Sequence, residues 1–98
     1  MAKYLILWEL DDSRMPEDPK ERGAAWTMMA DMVKQDMKAG THDDWGSYVG
    51  GGKGYAISEG SELEIAQLMQ KFVPFVKFEV HQVMTIDQVA ELAKSLTA

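Results

Sequence analysis

The chain has 98 residues, a formal net charge of −6 and no cysteine. A chain this short is one domain, residues 1–98, whose single modest core buries about 60–65% of the surface its unfolded form exposes. Disulfides, thiolate nucleophiles and cysteine-held zinc or iron–sulfur centres are excluded, and the acidic balance argues against a nucleic-acid backbone, which asks for a basic face.

The N-terminal run KYLILWEL is apolar almost without a break, the pattern of a strand buried on both faces. Leu5 and Leu7 fall on one side, with Tyr4, Ile6 and Trp8 on the other. The run is too short for a membrane span, and with Glu9 close behind it lacks the form of a secretion signal. The expected location is the cytoplasm, with no membrane partner.

A loop rich in Asp and Pro leads to Asp18-Pro19-Lys20-Glu21, a helix-start signature in which Asp18 caps a free N–H and Pro19 suits the first helical position. The helix is predicted to run to about Ala39, with Gly40 as its stop. Its apolar stripe is Trp26, Met29, Ala30, Val33 and Met37, and the many methionines of this stretch read as core filling.

Two alternating runs, Trp45–Val49 and Gly54–Ser58, flank Gly50-Gly51-Gly52-Lys53 and read as a hairpin. The glycines are no phosphate loop, because Lys53 is followed by Gly54 and a strand rather than by Ser or Thr and a helix. Ser61-Glu62-Leu63-Glu64 is a capping box opening a second helix, with Ile65, Leu68, Met69 and Phe72 inward and Pro74 at its end. Residues 75–84 alternate as a strand: Val76, Phe78 and Val80 on one side, Lys77, Glu79 and His81 on the other. Thr85-Ile86-Asp87-Gln88 opens a short terminal helix carrying Val89, Leu92, Ala93 and Leu96.

The order β-α-β-β-α-β plus a C-terminal helix implies an α+β, ferredoxin-like antiparallel sheet of order 4-1-3-2, both crossover helices lying on one face. Leaving the second apolar side of strand one in water would forfeit about 1.5–3 kcal/mol per large side chain, so a homodimer through the open sheet face is expected. The apolar strand YLILWEL, the hairpin GGGKGYAI and the strand KFEVHQV resemble the dimeric α+β barrel superfamily. That group includes muconolactone isomerase-like, antibiotic-biosynthesis monooxygenase-like and YCII-like proteins. The resemblance rests on architecture rather than a catalytic motif, and implies a barrel pocket for a small organic molecule.

The sequence offers three constellations for such a pocket. His81 and Glu79, two apart on a strand, share one face and point away from the helices, as a proton-transfer group and its orienter would. Trp8, Trp45, Tyr48 and Tyr55 could wall a flat ligand. His42 and Asp44, alternate residues of strand two, offer a weaker metal pair; strand two lies about 14 Å from strand four, so His81 of the same chain cannot join it. The leading expectation is a binding protein without cofactor. The alternative is an isomerase or cofactor-independent monooxygenase for an aromatic or lactone-like compound, with His81 moving the proton.

Overall fold

The computed structural model describes residues 2–97. Its elements follow in the order β1 (Lys3–Leu10), α1 (Pro19–Lys38), β2 (His42–Ser47), β3 (Lys53–Glu59), α2 (Glu62–Gln70), β4 (Val76–Val83) and α3 (Ile86–Ser95), with a single 3₁₀ turn, Asp12–Arg14, before α1. The strands form one sheet of order β2-β3-β1-β4, which counted from the β4 edge is 4-1-3-2. Every neighbouring pair is antiparallel.

Local chemistry sets the element ends. The Asp18 carboxylate accepts the Glu21 N–H at 3.1 Å, and Pro19 stands at the first turn, where its missing N–H costs nothing. At Ser61 and at Thr85 both halves of a capping box are formed. Gly51 and Gly52 take φ of 81° and 78° at the hairpin tip, values that a side chain resists. From there the Gly52 carbonyl accepts the Leu10 N–H at 2.8 Å, tying the tip to the end of β1.

Register decides which side chains share a face. Tyr4 stands between Ser58 and Gln82, Ile6 between Ala56 and Val80, and Trp8 between Gly54 and Phe78. This is the side the helices cover. Ile65, Leu68 and Met69 of α2 pack with Tyr4, Ile6 and Ala56, while Val33 of α1 packs with Phe72 and Val76. The opposite side carries Leu5 between Ile57 and His81, and Leu7 between Tyr55 and Glu79. Among the described residues neither buried core cluster lies on this side.

The α1 stripe is narrower than its periodicity suggests. Trp26 and Met37 stay close to half exposed, whereas Asp36 is buried beside Val33. Asp36 reaches Lys71, just past the end of α2, with Nζ–Oδ1 at 2.6 Å. A buried carboxylate is retained only with such a partner. No described helix is long and apolar enough to cross a membrane.

The molecule is longer than its core requires. Its dimensions are 61 × 26 × 19 Å and its radius of gyration 16.3 Å, against about 13 Å for a compact chain of this size. The terminal helix α3 contains no buried residue.

Candidate functional site

Between α1 and the covered side of the sheet lies a cavity of about 240 Å³. Trp8, Trp45 and Phe78 form its sheet wall, Met29 and Val33 its helix wall, and Gly51 and Gly52 of the hairpin reach its rim. At its back Phe72 meets Phe78 edge-on, the centroids 6.4 Å apart. Drug-sized ligands occupy about 300–1,000 Å³, so this space suits a smaller, single-ring molecule.

The two indoles shape the wall. Trp8 and Trp45 stack with centroids 5.2 Å apart and planes 11° from parallel. Their approach depends on Gly54, the partner of Trp8 across the β1–β3 pairing. A Cβ at Gly54 would meet both the Trp8 ring and the Gly46 carbonyl oxygen, so only glycine leaves the indole its place. The Trp8 Nε1–H is buried and has no hydrogen-bond partner. An orphaned donor of this kind carries a cost of about 1–3 kcal/mol.

His42 is the titratable residue of the lining. It is buried and shares a 2.6 Å hydrogen bond through Nδ1 with the hydroxyl of fully buried Ser58. Burial holds the His42 pKa below the ordinary 6.5, and the Lys71 ammonium pushes the same way, while the Asp36 carboxylate opposes them. The imidazole is therefore a neutral polar group in an apolar wall. Ser58 is too deeply buried to meet a substrate, and its chemistry is to orient the ring.

The sequence-predicted residues divide between the two sides of the sheet. Trp8 and Trp45 line the cavity. Tyr48 is half exposed at the start of the hairpin turn. Tyr55 stands on the uncovered side, its hydroxyl donating to the Asp44 carboxylate at 2.9 Å, a bond that raises the Tyr55 pKa. His81 and Glu79 also occupy that side, Nε2 to Oε2 3.2 Å apart and both well exposed. Glu9 joins them there, 3.9 Å from Lys53.

His42 and Asp44 do not share a face, which corrects the metal pair. The β2–β3 pairing shifts register between them: His42 opposes Ser58, but Asp44 opposes Ile57. The extra residue, Asp43, flips the parity of the strand, as a β-bulge does. His42 consequently turns to the helices and Asp44 away from them. Among the described residues no three His, Cys, Asp or Glu side chains gather as metal ligands.

Sequence reasoning placed neither His42 in an apolar cavity nor Ser58 as its partner. The alternation that groups Ser58 with Ala56 on one face was the available signal; the bulge that brings His42 to that same face had none.

A family model described as "Domain of unknown function (DUF3303)" matches residues 2–97. The chain belongs to this family. No curated protein matches it.

Proposed function

We propose that this protein binds a small ring compound with one hydrogen-bond acceptor, such as a carbonyl, in the cavity between α1 and the sheet. The observation that carries the reading is a mostly apolar cavity walled by two stacked indoles, one of which, Trp8, holds a buried Nε1–H without a hydrogen-bond partner. An acceptor on the ligand that reaches it relieves the cost of that orphaned donor. The neutral imidazole of His42 supplies a second polar contact, held in orientation by Ser58. The stacked Trp8–Trp45 pair favours a flat ring.

The working unit in this reading is a homodimer formed through the uncovered side of the sheet. Its support is the row of Leu5, Leu7 and Ile57 on that side, which a second copy would remove from water. This is the face-to-face arrangement of the dimeric α+β barrel superfamily that the sequence resembles. A second reading, proton transfer by His81 within that interface, is favoured by its 3.2 Å contact with Glu79. It makes the protein an isomerase or a cofactor-independent monooxygenase for an aromatic or lactone-like compound.

Isothermal titration with acetophenone and ethylbenzene, one carrying a carbonyl and the other not, tests the binding reading. Acetophenone should bind more tightly, and Trp8→Phe should erase that preference, worth about 2–10-fold for one hydrogen bond. Equal affinity for both compounds in the wild type would overturn it.

A further inference from the structure

A hydroxyl has one proton to give, and the Ser58 hydroxyl has one place to give it. The residue is wholly buried, and among the described residues the side-chain partner of its Oγ is His42 Nδ1 alone, 2.6 Å away. Buried polar groups keep their protons bonded. Ser58 therefore donates and Nδ1 accepts, which assigns the proton of the neutral imidazole to Nε2. The other tautomer would leave the Ser58 proton with no acceptor among the described residues.

That proton belongs to a residue of the cavity lining that is only 7% exposed. Among the described residues Nε2 has no hydrogen-bond partner: the Asp36 carboxylate, whose charge reaches the ring, is held by Lys71 at 2.6 Å instead. The lining thus carries two buried donors that the protein leaves free, Trp8 Nε1–H and His42 Nε2–H. It is poor in acceptors. Its other indoles, Trp26 and Trp45, only donate, and the Ser47 side chain is exposed, its hydroxyl donating to the Tyr48 carbonyl at 3.2 Å.

Register sets the two donors at opposite ends of the space. Trp8 faces Gly54 on β3 from one side, while His42 faces Ser58, four residues along, from the other. At about 3.3 Å per residue and 4.8 Å between strands, their Cα atoms stand roughly 16 Å apart. The Trp8 indole leans over Gly54, toward β2, and Trp45, opposite Ala56, stands between the two. We infer that the cavity selects a flat ring bearing hydrogen-bond acceptors at both ends and no donor, a para-dicarbonyl compound, with one oxygen on Trp8 Nε1–H and the other on His42 Nε2–H. The inference rests on the binding reading above and adds the second acceptor and its position. Two acceptors side by side on the ring cannot reach both donors. A hydroxyl at the His42 end offers an oxygen but buries a proton with nothing to receive it.

The test is isothermal titration of the full chain with 1,4-diacetylbenzene and with 4-ethylacetophenone, which matches it in size but lacks the second acceptor. The wild type should bind the diacetyl compound about 2–10-fold more tightly. His42→Phe/Ser58→Ala, which removes the second donor together with the hydroxyl it would orphan, should bind the two alike. A long-range ¹H–¹⁵N spectrum of the unliganded wild type, which needs no variant to fold, should show His42 Nε2 protonated and Nδ1 bare. Equal wild-type affinities, an undiminished preference in the double variant, or a proton on Nδ1 with Nε2 bare would each overturn the inference. In those cases a preference for acetophenone over ethylbenzene leaves the binding reading standing, whereas loss of that preference overturns both.

Discussion

Replacing Gly54 by alanine adds one methyl group at the point where the cavity wall is tightest. The residue is buried, and the new Cβ would meet the Gly46 carbonyl oxygen on β2 and the six-membered ring of Trp8 on β1. Neither neighbour yields easily. The carbonyl belongs to the paired backbone, and the indole is stacked on Trp45 at 5.2 Å. Overpacking costs about 1–3 kcal/mol, and two stiff contacts place this case at the upper end, near 3 kcal/mol. For a chain of this size that is a fall in melting temperature of about 12–24 °C. The same substitution at Gly23, inside α1, supplies the control. Nothing lies within 4 Å of its new Cβ, so helix propensity alone acts and alanine stabilises by about 0.8–1 kcal/mol. Thermal denaturation of the two variants should therefore give shifts of opposite sign. If Gly54→Ala melted within 2 °C of the wild type, the close indole–backbone packing described here would be wrong.

Other consequences are smaller but as definite. Lys71→Met removes the ammonium from the buried Asp36 carboxylate; because Lys71 is half exposed, the loss should be about 2 kcal/mol in urea denaturation rather than the ~3–5 kcal/mol of a fully buried pair, and adding Asp36→Leu should recover most of it. His42 is held neutral in the folded state, its pKa depressed below 6.5 by burial. The stability it contributes is fully present above the unfolded value of 6.5 and is lost as pH falls from there through the lower folded value. Urea midpoints measured from pH 8 to pH 5 should fall more steeply in the wild type than in His42→Gln; parallel curves would refute a buried neutral imidazole. Ser61→Ala removes the hydroxyl that accepts the Glu64 N–H in the α2 capping box, leaving the backbone N–H of that position still able to donate to Glu64 Oε1, and should cost about 1 kcal/mol by the same assay.

The parts of the fold that follow local rules were legible in the sequence. Asp18, Ser61 and Thr85 announce three helix starts, and each side chain caps the helix as expected. Alternation in β4 put Glu79 and His81 together, away from the helices, and they are in contact there. What escaped depends on interactions between distant segments. One inserted residue, Asp43, separates His42 from Asp44, and nothing in the run HDDW marks it as a bulge. Asp36 sits on the inner side of α1 because a lysine 35 residues away meets it; periodicity alone would put Met37 there. The pairing of Trp8 with Gly54 decides that the indoles open a cavity on the helix side. Tyr55, one residue further, faces the other way. Local pattern therefore revealed the architecture, whereas the pocket arises from cross-strand register that no single segment encodes.

The most direct test of the proposed binding site observes the Trp8 indole itself. In a two-dimensional ¹H–¹⁵N spectrum the three tryptophans give three indole Nε1–H signals, and Trp8→Phe identifies the one from Trp8. Addition of acetophenone should shift that signal downfield, as a free donor gains its acceptor, while ethylbenzene should leave its hydrogen-bond shift unchanged. A Trp8 signal unmoved by saturating acetophenone would contradict the assignment of this cavity as a binding site for ring carbonyl compounds.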